Sequence, residues 1–171
     1  CSSDLHSIFL SISATTNGGL DLFSSSLTGY DTAYHIQVPV MIQIVLGSIG
    51  YPVLIEVRSY LSGRRKHFRF SLFTKITTAT YGALFAVGAV MIFISEWQGY
   101  FKEYGITGAM MNSMFLSVTS RSGGLTTVPI EQLGEATQMF MSALMFIGAS
   151  PSSAGGGIRT TTFAILLLFL I

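Results

Sequence analysis

The sequence predicts an all-α polytopic membrane protein, and three observations carry the prediction. Only 10% of the 171 residues are charged and 50% are hydrophobic, where a soluble domain carries about 25% charged residues. Several uncharged runs are long enough to cross a bilayer, and basic and acidic residues segregate to opposite ends of those runs. A buried core helix of a large soluble protein is the alternative for any one run, but three in one short chain argue against it. The net charge of +1 says nothing about partners. One cysteine, Cys1, excludes an internal disulfide framework. The chain opens on Cys and stops within FAILLLFLI, so it reads as a piece of a longer protein.

The first long run occupies residues 36–55 between His35 and Glu56. At 1.5 Å per residue it reaches about 30 Å, the thickness of the hydrocarbon core, and residues 36–57 are expected to form one transmembrane helix. Pro39, Pro52, Gly47 and Gly50 within it mark kinks and close helix packing. Residues 58–75 follow as a basic connection. Arg58, Arg64, Arg65, Lys66, Arg69 and Lys75 place six of the nine basic residues there. Asp4, Asp21, Asp31, Glu96, Glu103, Glu131 and Glu135, seven of the eight acids, lie beyond the other ends of the spans. The positive-inside rule makes the connection cytoplasmic. A basic run can also bind nucleic acid, but beside two spans the topological reading prevails and no nucleic-acid partner is expected. Residues 76–96 form the next span, and Trp97 and Tyr100 fit its outer interfacial belt.

Residues 97–135 then begin and end outside, yet their middle is not a plain hydrophilic loop. Residues 107–118 are an apolar segment too short to span, which reads as re-entrant. It is expected to dip as a short helix and return as an extended stretch, Ser120–Leu125. Non-helical backbone at membrane depth survives only when buried in protein or lining a watery cavity. Carbonyls exposed along such a stretch can replace the hydration shell of a cation, and Gly123 and Gly124 permit the backbone angles required. On this segment alone a flexible Gly-Ser loop is an equal alternative.

The N-terminal region separates the two. HSIFLSISATTNGGLDL repeats the pattern of NSMFLSVTSRSGGLTTV: a short apolar helix, a polar stretch and Gly-Gly-Leu, each followed by a long apolar span. Aligning the glycines pairs Gly18 with Gly123, Gly19 with Gly124, Asn17 with Ser122 and Thr15 with Ser120. On these residues the chain resembles the membrane subunit of the Trk/Ktr/HKT potassium transporters, closest to the bacterial Ktr type, over essentially its whole length. The resemblance implies four helix–pore loop–helix repeats in the full polypeptide. Residues 1–35 would then be the pore helix and filter loop of repeat two and 36–57 its second helix. Residues 76–96 would open repeat three, and 97–135 would hold its pore helix and filter loop. Thr15, Thr16, Asn17, Gly18 and Gly19 would line one side of an ion filter, and Ser120, Arg121, Ser122, Gly123 and Gly124 the next. Backbone carbonyls near Gly19 and Gly124 would hold K⁺.

The last span, residues 136–171, is interrupted. Gly148, Ala149, Ser150, Pro151, Ser152, Ser153, Ala154, Gly155, Gly156 and Gly157 cannot continue a helix comfortably. If Ala136 enters at the outer face, Gly148 lies about 18 Å deeper, where an unwound segment must line a cavity or be buried. The stretch lacks the Gly-Lys-Ser/Thr of a phosphate-binding loop and the spacing of a nucleophile elbow. The resemblance implies an intramembrane gate at 148–158, beneath the filter.

Arg121 would repel a cation if it faced the pore, so a buried structural brace is expected, bonded to an acid or to pore-helix carbonyls. Arg159 could equally snorkel to the inner interface or steady the gate. His6 and Asn112 suit polar packing in equivalent helices, and Met110, Met111 and Met114 read as core filler. No nucleophile–base pair or Cys/His metal spacing points to an enzyme, and neither His35 nor His67 is placed for one. The reading is therefore selective K⁺ uptake with no covalently bound cofactor; a substrate carrier or intramembrane enzyme using the broken helix is the alternative. The resemblance adds a multi-pass plasma membrane location, a homodimer, a cytoplasmic ring of nucleotide-binding regulatory subunits and, in some members, stimulation by Na⁺.

Overall fold

The computed structural model describes residues 2–22, 26–62 and 70–170. Cys1, Arg64, Arg65, Lys66, His67 and Arg69 lie outside the described residues. The architecture is all-helical. In chain order the helices are α1 (Ser2–Thr16), α2 (Tyr34–Ile49), α3 (Tyr51–Leu61), α4 (Leu72–Glu96), α5 (Gly105–Val118), α6 (Glu135–Phe146) and α7 (Thr160–Leu170). Short 3₁₀ turns cover Thr28–Tyr30, Tyr100–Glu103 and Ile130–Gln132. An isolated parallel bridge pairs Ile147 with Ile158.

Among the described residues, α4 is the single helix long and apolar enough to cross a membrane unaided. It begins where Ser71 caps it: the Ser71 hydroxyl accepts from Thr74 N at 3.2 Å, and Ser71 N donates to the Glu56 carboxylate at 3.1 Å. The helix expected over 36–57 is not continuous. It breaks at Gly50 into α2 and α3, bent by 107°. Pro39 stays inside α2, so the break belongs to Gly50 together with Pro52, which sits in the first turn of α3 where its missing N–H costs nothing.

Two apolar clusters organise the packing. Leu10, Ala14, Leu27, Val40, Ile44, Phe115, Val118 and Leu125 join α1, α2 and α5. Ile92, Phe101, Ala109, Leu116, Val128, Leu133 and Met141 join α4, α5 and α6. α5 feeds both, with Phe115 and Val118 in the first cluster and Ala109 and Leu116 in the second. Met110, Met111 and Met114 belong to neither cluster. Met110 is 54% exposed, and Met110 and Met114 line an apolar groove of about 280 Å³ against Phe85 and Phe93 of α4. The reason is rotational: the inward face of α5 is taken by Asn112, Phe115 and Leu116.

Polar groups tie the ends together. The Tyr104 hydroxyl donates to the Asp31 carboxylate at 2.7 Å and pairs with the Tyr100 hydroxyl at 3.1 Å. Burial pushes the Tyr104 hydroxyl above its ordinary pKa, so it stays a donor. Tyr100 is thus engaged by its neighbours, while Trp97 remains 40% exposed. Asn112 Nδ2 donates to Asp31 O at 3.2 Å, and Asn112 Oδ1 accepts from the Thr127 hydroxyl at 3.0 Å. Polar packing is what Asn112 does. Glu96, at the end of α4, is 3% exposed. Its carboxylate accepts from Gly134 N at 2.8 Å and from the Thr137 hydroxyl, capping α6 from another helix.

Replacing Glu96 by Ala should destabilise the protein by about 1.5–3 kcal/mol, the worth of hydrogen bonds to a charged group. A lowered melting temperature in detergent would report it, and Glu96→Gln, which keeps an acceptor, should recover part of the loss.

Candidate functional site

The two glycine loops meet. Gly19 has φ +64° and Gly124 φ +73°, a left-handed region that glycine adopts at little cost. A Cβ on Gly124 would lie 2.8 Å from Gly19 Cα, and one on Gly19 would lie 3.1 Å from Gly124 Cα. Neither position has room for a side chain. Behind them the return segments are joined: Leu27 N donates to Thr126 O at 3.0 Å, and Thr126 N to the Ser26 hydroxyl at 3.2 Å.

The approach to each glycine differs from the expected extended stretch. Thr15 and Thr16 are the last turn of α1, with hydroxyls bonded to Ser11 O and Ile12 O at 2.8 Å. Asn17 then turns at φ +51°, and Gly18 N donates to Ser13 O at 2.9 Å. In the second loop, Thr119–Gly123 form a turn of π-helix continuing α5, closed by Gly124 N to Thr119 O at 3.2 Å. Ser120–Leu125 is therefore not extended throughout; the departure from helix begins at Gly124. Side chains cause the wide turn. The Ser120 hydroxyl and Arg121 Nε both reach back to Ser117 O, at 3.2 and 3.4 Å, and the Thr119 hydroxyl donates to Leu125 O at 2.5 Å.

Arg121 is buried and reaches α4. Its Nη1 donates to Tyr81 O at 3.1 Å, and its guanidinium carbon lies 3.9 Å from the Tyr81 ring centroid. The brace expected of it is made with carbonyls of α5 and α4 and the face of an aromatic ring.

The interrupted helix is unwound between Phe146 and Thr160. Gly148 N donates to Ile158 O, Ala149 N to Gly156 O and Thr160 N to Ala149 O, at 3.0, 3.0 and 3.3 Å. Gly148 is pressed against the Gly156 carbonyl, leaving no space for a Cβ. Arg159 Nη1 donates to Ser150 O at 3.3 Å and to Gly155 O at 2.9 Å. Of its two open readings, the one that steadies the loop is the arrangement observed. The loop touches the second glycine loop, since a Cβ on Gly155 would lie 2.8 Å from Ser122 Cβ.

The sequence reading missed Ser48 and Glu96. Ser48 is buried, its hydroxyl 3.1 Å from the Ser122 hydroxyl and its carbonyl accepting from Ser150 N at 3.1 Å. It therefore touches a glycine loop and the unwound loop at once. Gly50 followed by Pro52 was the available signal for the break beside it. Among the described residues no group of three or more His, Cys, Asp or Glu side chains could hold a metal ion.

Short helices carrying glycine loops are framed here by a membrane-length helix and by interrupted ones. Residues 2–171 match the family described as TrkH, cation transport protein, and the chain belongs to that family. It is 49% identical over 166 residues to the Ktr system potassium uptake protein D of Bacillus subtilis (strain 168), covering 97% of this chain and 37% of that protein. It is 31% identical over 167 residues to the Ktr system potassium uptake protein B of the same bacterium, covering 96% and 37%. With the potassium/sodium uptake protein NtpJ of Enterococcus hirae it shares 30% over 163 residues, covering 95% and 35%. The fold is similar to the crystal structure of the potassium transporter TrkH from Vibrio parahaemolyticus, with a TM-score of 0.74 at 19% identity, over 92% of this chain and 32% of that one. The chain thus spans little more than a third of the relatives it matches.

Replacing Arg121 by Met should cost about 2–4 kcal/mol, from two hydrogen bonds and a desolvated cation–π contact. Thermal unfolding of the purified protein checks this, and Arg121→Lys should restore only part of it because an ammonium cannot span both carbonyls and the ring.

Proposed function

We propose that the full polypeptide takes up potassium ions across the plasma membrane through a gated, selective pore, without covalent chemistry. The observation that carries the reading is the contact of two repeated glycine loops, Gly19 against Gly124, at the ends of two short helices. Relatives named as potassium uptake proteins support it. Residues 15–19 and 120–124 are two sides of the ion filter, with K⁺ held by carbonyls near the paired glycines. Residues 148–157 are the gate, seated against Ser122. The basic connection 58–75 faces the cytoplasm. A homodimer, a cytoplasmic ring of nucleotide-binding regulatory subunits and Na⁺ as an activator complete the assembly. The primary test is rescue of potassium-limited growth by the full-length protein in cells lacking their own uptake systems.

Gly124→Ser should raise the KM for K⁺ and lower its preference over Na⁺, because a Cβ cannot be placed 2.8 Å from Gly19 Cα without moving the loops apart. Ion uptake kinetics read both; unchanged affinity and selectivity would remove the filter from this site.

Deleting Ser150–Ala154 should raise K⁺ flux and loosen its dependence on the regulatory subunit, with preference over Na⁺ largely kept. A carrier that used this loop as its binding site would lose transport instead. Flux through folded, membrane-inserted deletion protein decides between them.

A further inference from the structure

The break between α2 and α3 has no part in the reading above, yet it is built against the unwound loop. Interrupting a helix leaves the last carbonyls of one half and the first N–H groups of the other without helical partners. Here the loop supplies them. Ala154 N donates to Gly47 O at 3.3 Å and Ser150 N to Ser48 O at 3.1 Å, while Tyr51 N donates to Ser152 O at 3.1 Å. Gly50, at φ +92°, lets Pro151 into the notch: a Cβ there would lie 2.6 Å from Pro151 O. The end of α2 is held on its other side by the glycine loops. Gly47 is pressed against Thr15 O, and the Ser48 and Ser122 hydroxyls are 3.1 Å apart. α2 is therefore tied to the glycine loops, whereas α3 is held elsewhere, by the hydrogen bond from Ser71 N to the Glu56 carboxylate at the start of α4, and can turn about Gly50 only together with that end of α4.

We propose that the notch at Gly50 is the seat of the intramembrane loop, and that Gly50 and the first turn of α3 are positioning residues that hold the loop closed. The inference rests on the gate reading of residues 148–157. Turning α3 about Gly50 withdraws Tyr51 N from Ser152 O and empties the seat. Because α3 runs through Arg58 towards the basic connection, a displacement applied at the cytoplasmic face reaches the loop without passing through α6 or α7.

The test uses position 51, the first residue of α3, whose side chain is 68% exposed. Proline is accommodated at a first helical position but has no N–H to give Ser152 O; Tyr51→Ala removes the side chain and keeps the N–H. One main-chain hydrogen bond is worth about a five-fold change in the closed-to-open ratio. In the full-length protein without its regulatory subunit, Tyr51→Pro should raise the Vmax of K⁺ uptake about five-fold with KM unchanged, and Tyr51→Ala should behave as the parent. In protein lacking Ser150–Ala154, Tyr51→Pro should add nothing. Gly50→Ala, whose Cβ displaces Pro151, should act in the same direction and serves if the proline variant does not accumulate. Equal Vmax for the Pro and Ala variants, a lower Vmax at equal membrane abundance, or a rise that persists in the loop-deleted protein overturns the seat. Failure of the gate reading is distinguishable, since it appears as lost flux on deleting the loop alone. Raised flux on deletion with no response to Tyr51→Pro overturns the seat and leaves the gate.

Discussion

In a hydrocarbon solvent a backbone group without a hydrogen-bond partner costs several kcal/mol, and the irregular segments of this chain are arranged around that constraint. The unwound loop between α6 and α7 bonds partly to itself, through Gly148, Ala149 and their partners at 156 and 158. The remainder is completed by Arg159, which serves two loop carbonyls, and by the broken end of α2. Neither interruption is self-sufficient. Each supplies donors or acceptors the other lacks, so two breaks far apart in sequence form one polar knot inside an apolar protein. Three of its bonds are to Gly47, Ser48 and Tyr51, beside the glycine that makes the bend.

The same constraint shapes the ends of the short helices. α1 and α5 carry equivalent sequences and both end in hydroxyl-rich turns whose side chains bond back to helix carbonyls. Their surroundings differ. α5 is enclosed by α4, α2 and α6, and small side chains permit the close approach: the Ser117 hydroxyl donates to Phe85 O at 2.8 Å, and Gly88 has no space for a Cβ beside it. In α1 the shared FLS string places Ser7 and Ser11 at the positions of Ser113 and Ser117, and both are exposed. One motif thus serves in two packing contexts, with the same serines buried against α4 in α5 and exposed in α1.

Among the described residues, Arg121 and Glu96 are the buried charged side chains, and each bonds across helices. Arg121 fixes the π-turn of α5 to α4, and Glu96 fixes the start of α6 to the end of α4. Both act through α4, the one uninterrupted long helix among the described residues. The segments that depart from regular helix are thereby referenced to an element that does not bend.

Charge distribution, run length and the doubled Gly-Gly-Leu were enough to determine the helical membrane class, the pairing of the two glycine loops and the interruption at 148–157. These are local or periodic properties: an uncharged run, a repeated string and a proline among glycines act wherever they occur. Gly50 and Pro52 were visible too, but whether such a pair kinks a helix slightly or breaks it by 107° depends on whether other groups can satisfy the freed backbone. That was decided by Ser150, Ser152 and Ala154, about a hundred residues away. The path from Ser120 to Gly124 was likewise settled by where side chains found acceptors, and the directions of Arg121 and Arg159 by which carbonyls lay within reach. Sequence alone marked where a helix could fail; only tertiary structure decided whether it broke and what the freed backbone would bond to, because hydrogen-bond partners brought together by folding leave no local trace in either segment.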